Sequence, residues 1–140
     1  MAMTFKFYGD SGLLALAAPA IYQASSGATG AVDAQIWLGS TDATKKIQAN
    51  SNPGVDHLVV TLTDSAPSSG QAVSGAQLAL TQLGLDTATP GASLDLGVTE
   101  ILGGVAEAVT FWLRFEASSL VDGTYTDLGL KVAAAIQTTV

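Results

Sequence analysis

The sequence predicts an all-β chain, an antiparallel β-sandwich of immunoglobulin-like type, with a jelly roll as the runner-up arrangement. Three observations predict it. Hydropathy alternates with a period of two in segment after segment. Turn-forming clusters rich in Gly, Pro, Asn, Asp and Ser separate those segments. No stretch holds a clean helical period. Successive side chains of a strand point to opposite faces, so alternation marks a half-buried strand, and regularly punctuated strands mark a sandwich or barrel.

Taken in order, Phe5 and Phe7 flank Lys6 and make a short first strand. Val32, Ala34, Ile36 and Leu38 alternate with Asp33, Gln35 and Trp37, and Leu58, Val60 and Leu62 alternate with Val59, Thr61 and Thr63. Leu78 and Leu80 keep the two-residue period, as do Leu94, Leu96 and Val98. Val109, Phe111, Leu113 and Phe115 alternate with Thr110, Trp112, Arg114 and Glu116, and Leu128, Leu130 and Val132 with Gly129 and Lys131. The intervening "GDSG", "SSGATG", "NSNPG", "APSSG", "TPG", "LGG" and "VDG" are turns, because Gly permits positive φ and Pro presets the turn φ. A helix over 71–85 is interrupted by Gly75 and Gly84, and the Ala-rich 131–137 reads as a strand with a frayed tail. Asp122, Gly123 and Tyr125 before the last alternating strand resemble the tyrosine corner of immunoglobulin-like domains, which gives Tyr125 a structural role.

With 140 residues, 48% hydrophobic and 12% charged, the chain suits one sandwich domain over 1–140, with residues 1–30 as an N-terminal arm. So few charges also suit a chain that works in an assembly. The net charge is −7, and the five basic residues are Lys6, Lys45, Lys46, Arg114 and Lys131. No basic patch exists to neutralise a phosphate backbone or an anionic membrane surface, so no nucleic-acid and no membrane partner is expected. The absence of Cys excludes disulfides, thiolate metal sites and cysteine nucleophiles.

Candidate chemistry is sparse. Gly9-Asp10-Ser11-Gly12 has the form of a serine-hydrolase nucleophile motif, but Leu13 follows where trypsin-like proteases carry another Gly. A serine nucleophile also needs a base, and the single histidine, His57, is placed at a strand start beside Asp56. Gly-flanked Asp and Ser between apolar segments read as a turn. Leu13–Ala20, ending in Ala18-Pro19-Ala20, resembles a signal-peptide core and cleavage site, yet Lys6 is its one upstream basic residue and Asp10 intervenes. The carboxylates are scattered, with no calcium-loop spacing and no phosphate-binding glycine loop. No enzyme activity, metal or cofactor is expected.

Trp37 and Trp112 fall on the polar register of their strands, opposite Ile36/Leu38 and Phe111/Leu113. An indole left in water wastes apolar area, and aromatics are enriched in interfaces. Either both strands share one sheet and the rings belong to a subunit contact, or a loop or the N-terminal arm folds over them. A sugar-stacking platform is the third reading. Trp37, Trp112, Phe5 and Phe7 are the expected interface residues, with the N-terminal strand lying along a sheet edge.

The runs "VDAQIWLGSTDATKKIQANSNPGVDHLVVTLTDSAPSSG" and "LALTQLGLDTATPGASLDLGVTEILGGVAEAVTFWLRF" resemble small structural proteins of tailed bacteriophages, from about Val32 to Phe115. The resemblance lies in texture, in Trp-Leu-Gly-Ser, Asn-Pro-Gly-Val-Asp, Thr-Pro-Gly-Ala and Ile-Leu-Gly-Gly, and carries over no functional residue. It implies a virion component made in the host bacterial cytoplasm. The expected function is a capsid decoration, or cement, protein, a homotrimer that contacts the major capsid protein and holds the head lattice. The alternatives are a tail or baseplate immunoglobulin-like module and a secreted carbohydrate-binding or adhesin domain.

Overall fold

A computed structural model describes residues 3–14, 22–24, 30–64, 76–117, 123–125 and 128–140. It is built from antiparallel strands, as the alternation predicts. The strands are β1 (Lys6–Tyr8), β2 (Tyr22–Ala24), β3 (Gly30–Gly39), β4 (Lys45–Ala49), β5 (Val59–Asp64), β6 (Ala76–Ala79), β7 (Leu94–Asp95), β8 (Glu100–Leu102), β9 (Val109–Ala117), β10 (Gly123–Tyr125), β11 (Leu128–Val132) and β12 (Ala135–Thr139). Two 3-10 turns, Leu83–Thr87 and Val105–Glu107, sit between strands. Among the described residues no helix is long and apolar enough to cross a membrane.

The first layer is the sheet β1-β3-β9-β6, with the long β3–β9 ladder at its centre. The second layer combines two three-stranded ladders, β11-β5-β7 and β12-β4-β8. The two ladders follow one another along the chain: β11 leads into β12 and β7 into β8 past short breaks, and the loop over 50–58 joins β4 to β5. Leu128↔Asp64 through Val132↔Val60 continues, past a kink, as Ala135↔Ala49 through Thr139↔Lys45. On the other side β7 pairs with β5 and β8 with β4. The joints are stitched by hydrogen bonds from Asn50 N–H to the Ala134 carbonyl (2.7 Å), Ala133 N–H to Val59 (2.8 Å) and Leu58 N–H to Val98 (2.8 Å). A separate pair, β2–β10, completes the described strands.

One core joins the layers. Phe7, Ile36, Leu38, Leu78, Phe111 and Leu113 from the first sheet pack with Ile47, Leu58, Val60, Leu96 and Ile101 from the second. Phe7 meets Phe111 edge to face, with centroids 6.0 Å apart and planes at 89°, an arrangement the ring quadrupoles favour. At one end a polar chain ties three distant segments. Thr4 N–H and its hydroxyl both donate to Gln137 Oε1 (2.6 and 2.9 Å), the fully buried Ser40 hydroxyl donates to Thr4 Oγ1 (2.8 Å), and Asp42 N–H donates to Ser40 Oγ (3.0 Å). The same end requires Gly103, where a Cβ would collide with the Asp42 carbonyl oxygen.

Several expectations change. In the first sheet β3 stands between β1 and β9, and β6 closes the other side of β9. The residues after Val132 are not a frayed tail, because β12 is fully laddered on β4. The strand expected over 94–98 is short. Gly97, at φ 73°, turns the chain after Asp95, whose Oδ1 accepts the Gly97 N–H at 2.7 Å, and pairing resumes at Glu100. Residues 76–79 are strand and 83–87 a 3-10 turn, with no helix between them. The Tyr125 side chain lies outside the described residues, as do residues 15–20 of the apolar run Leu13–Ala20.

Candidate functional site

The β3–β9 register decides which side chains share a face. Trp37 lies opposite Thr110, and Trp112 lies opposite Gln35. Residues directly across an antiparallel ladder point the same way, so Trp37 and Trp112 are diagonal neighbours on one face, within reach of two aromatic side chains. Tyr8 lies opposite Trp37, and Ala79 opposite Trp112. Ile36, Leu38, Phe111 and Leu113 take the other face and enter the core. The two tryptophans therefore stand in one sheet, on its outer face, each half-buried.

Two segments close over the ends of this face. At one end Gly9–Leu13 turns back on itself. The Asp10 carboxylate accepts the Leu14 N–H (3.0 and 3.2 Å), and the Asp10 carbonyl accepts the Leu13 N–H (3.3 Å). Leu13 adopts φ 53°, a left-handed conformation that a branched residue takes at a cost of roughly 1–2 kcal/mol, and its buried side chain reaches the backbone at Gly39. Gly39 can hold no side chain, since a Cβ would stand 2.8 Å from that of Ala108. At the other end the 83–87 turn lies over β6. Leu85 is fully buried, and a Cβ at Gly84 would stand 3.2 Å from the Ala79 methyl.

An ionic cluster secures that second end. Arg114 Nε and one terminal nitrogen donate to the two oxygens of Asp33 (2.7 and 3.1 Å), and the other terminal nitrogen donates to Asp86 (2.8 Å). Gln82 Nε2 adds a bond to Asp33 at 3.2 Å. The Arg114 hydrogen bonds hold the Asp33 carboxyl below its ordinary range, and Asp33 first, then Asp86, raise the guanidinium further above its own. The pairing fixes the turn to the sheet beside the indoles.

Of the expected interface residues, Trp37 and Trp112 are brought together on an outer face. Phe5 and Phe7 are not on a surface. They are 6% and 9% exposed and belong to the core, because their register places them opposite Lys6, which takes the solvent side. What β1 offers outward is its backbone edge, at the margin of the first sheet. Sequence reading missed Leu14 and Leu83 as surface residues. Their sidedness depends on turns whose direction the alternation does not carry.

Ser11 is exposed in the Gly9–Leu13 turn. His57 stands in the exposed loop of the second layer, and its Nδ1 lies 2.9 and 3.0 Å from the Asp95 carboxylate oxygens. That contact, with the Gly97 N–H, holds the Asp95 carboxyl below its ordinary range. Ser51 donates to Asp56 at 2.6 Å in the same loop. Among the described residues no three His, Asp or Glu side chains converge as metal ligands. The outer face of the first sheet thus combines an aromatic floor, amide and hydroxyl neighbours and a fixed ion pair. Compared with known proteins, the chain shows no significant match to a family model, to a curated protein or to a solved structure.

Proposed function

We propose that this chain is a structural protein of a tailed-bacteriophage virion that decorates the capsid surface and reinforces the head lattice through protein–protein contacts. The observation that carries the reading is the outer face of the first sheet, where Trp37 and Trp112 stand side by side above a rigid two-layer core. Lattice reinforcement asks for a stiff scaffold and complementary surface, with modest contacts multiplied by symmetry. Indoles supply much of that contact energy, since aromatic residues dominate interface cores. The textural resemblance to small phage structural proteins supports the same reading and supplies the major capsid protein as partner, with trimers placed where capsomers meet.

The test is to mix the purified protein with undecorated expanded capsids and image them. Ordered density on the shell is expected, and a bare shell overturns the proposal. The Trp112→Ser variant is expected to weaken capsid binding by at least tenfold, the scale of a central interface aromatic. Unchanged binding would remove Trp112 from the contact.

A further inference from the structure

We propose that β1 is an exchangeable strand. At high local concentration the Thr4–Tyr8 segment leaves its own sheet and fills the same seat beside β3 of a second copy, whose β1 fills the first seat in return.

The seat and its occupant are both defined by the fold. β1 pairs with β3 alone, through Lys6↔Gly39, Phe7↔Leu38 and Tyr8↔Trp37, at the margin of the first sheet. Phe5 and Phe7 enter the core, where Phe7 meets Phe111 edge to face. Thr4 donates twice to Gln137, and the Ser40 hydroxyl donates to Thr4. Each of these contacts is made with a segment that a second copy offers unchanged, so exchange preserves them all. A seat left empty would uncover one side of Phe111 and an open strand edge, so a β1 strand always fills it.

The closed and exchanged forms differ in the turn that follows β1. Gly9–Leu13 folds the strand back against its own chain, with Leu13 at φ 53° and its side chain seated beside Gly39. A leucine in the left-handed region is strained, and opening the turn between Tyr8 and Leu13 releases it, a bias of about 5–30-fold towards the open chain. The exposed bonds from the Leu14 N–H to the Asp10 carboxylate hold the turn shut, by about two- to tenfold. These two effects nearly offset, and strain in a connecting turn is a recognised route to exchange of the element it carries. The tether then decides. It keeps β1 at an effective concentration of about millimolar near its own seat, so dilute chains stay closed and crowded chains exchange.

The test uses two single-cysteine variants, since the natural chain has no Cys. Tyr8→Cys and Trp37→Cys alter cross-strand partners, whose Cα separation of about 4.5–5.5 Å in an antiparallel pair suits a disulfide. With one cysteine per chain, the two variants become bridged across this ladder only when β1 of one lies on β3 of the other. They are mixed, unfolded in urea with reductant, refolded together at low or high concentration, and oxidised. After concentrated refolding, the mixed disulfide dimer is expected to outnumber each like-with-like dimer by about tenfold, against about twofold for random pairing. After dilute refolding all dimers are expected to be scarce. The wild type, refolded at high concentration without oxidation, is expected to show a dimer by sedimentation velocity that persists on dilution, because return requires Phe5 and Phe7 to leave the core. Asp10→Ala, which loosens the turn, is expected to raise that dimer's share by about two- to tenfold. Mixed dimers at the random proportion, or a wild type of single-chain mass after concentrated refolding, overturn the inference. Neither result bears on capsid binding, which imaging of decorated shells tests separately.

Discussion

Arg114 draws its two acids from widely separated parts of the chain, Asp33 on the neighbouring strand and Asp86 on the turn above it. The guanidinium can serve both because its fork presents several donors in one plane. Asp33 thereby has a depressed pKa in the folded chain, with the Arg114 hydrogen bond the largest cause. A carboxyl depressed on folding adds stability above its unfolded pKa of about 3.9, and that stability is lost as the pH falls through the folded value. The expected outcome is a fold whose stability holds from neutral pH to about 5 and declines below about 4. Asp42 and Asp95 shift in the same direction, through Thr44 and His57 respectively, so the decline has several contributors. Asp33→Asn is expected to flatten part of the acid limb in urea titrations made at successive pH values. An unaltered limb would show that the pair is energetically silent.

At the level of elements, β9 organises the molecule. It pairs with β3 on one side and β6 on the other, and its Phe111 is fully buried against Phe7. Phe111→Ala is expected to cost about 3–5 kcal/mol, the range for removing a buried aromatic ring, in denaturant unfolding. A loss under about 1 kcal/mol would mean that the layers close over the cavity. The long elements were the legible ones. β3, β5, β9 and β11 alternate over five or more residues, and Ile36, Leu38, Val60, Phe111 and Leu113 enter the core as the period requires, with Ala34, Leu62, Leu130 and Val132 packed against it. The two indoles were legible as well, since their place on the polar register is a property of the strands alone. Short elements were not legible for a physical reason. β4 buries only Ile47 and Ala49 among Lys45, Lys46 and Gln48, and β8 buries only Ile101, too few positions to establish a period. β12 has the reverse problem. Its alanine-rich approach resembles a fraying end, and only the ladder with β4 gives its backbone groups partners. The error over Phe5 and Phe7 was one of sidedness: the pattern set them apart from Lys6 but could not say which set faces the core.

For the whole molecule, the balance is between apolar contact and acidic repulsion. With 12 acidic against five basic residues, two copies repel over most of their surfaces. Salt shortens the reach of that repulsion, from a Debye length of about 30 Å at 0.01 M to about 10 Å at 0.1 M, and leaves apolar burial nearly untouched. Association of copies through apolar area, as in the trimer of the proposed role, is therefore expected to strengthen as salt rises over that range, read as a falling Kd in sedimentation. Weakening with salt would instead identify a contact made by opposite charges.

The bent strands of the second layer carry a consequence for how the molecule comes into being. Its middle strand, β4 with β5, stands between neighbours that lie far along the chain, and the Lys45 ammonium donates to the Thr139 hydroxyl across 94 positions. A ribosome has therefore delivered nearly all of these residues before that strand acquires its second flank. Until then Ile47 and Val60 lack the cover of Ala135 and Val132. This layer closes only once residues 135–139 have been made, and closing such long loops places it among the slow β topologies, on a scale of roughly milliseconds to seconds. During that interval the unfinished strand edge is open to neighbouring chains, so the same topology that makes the finished sandwich stiff also makes crowded synthesis its most vulnerable moment.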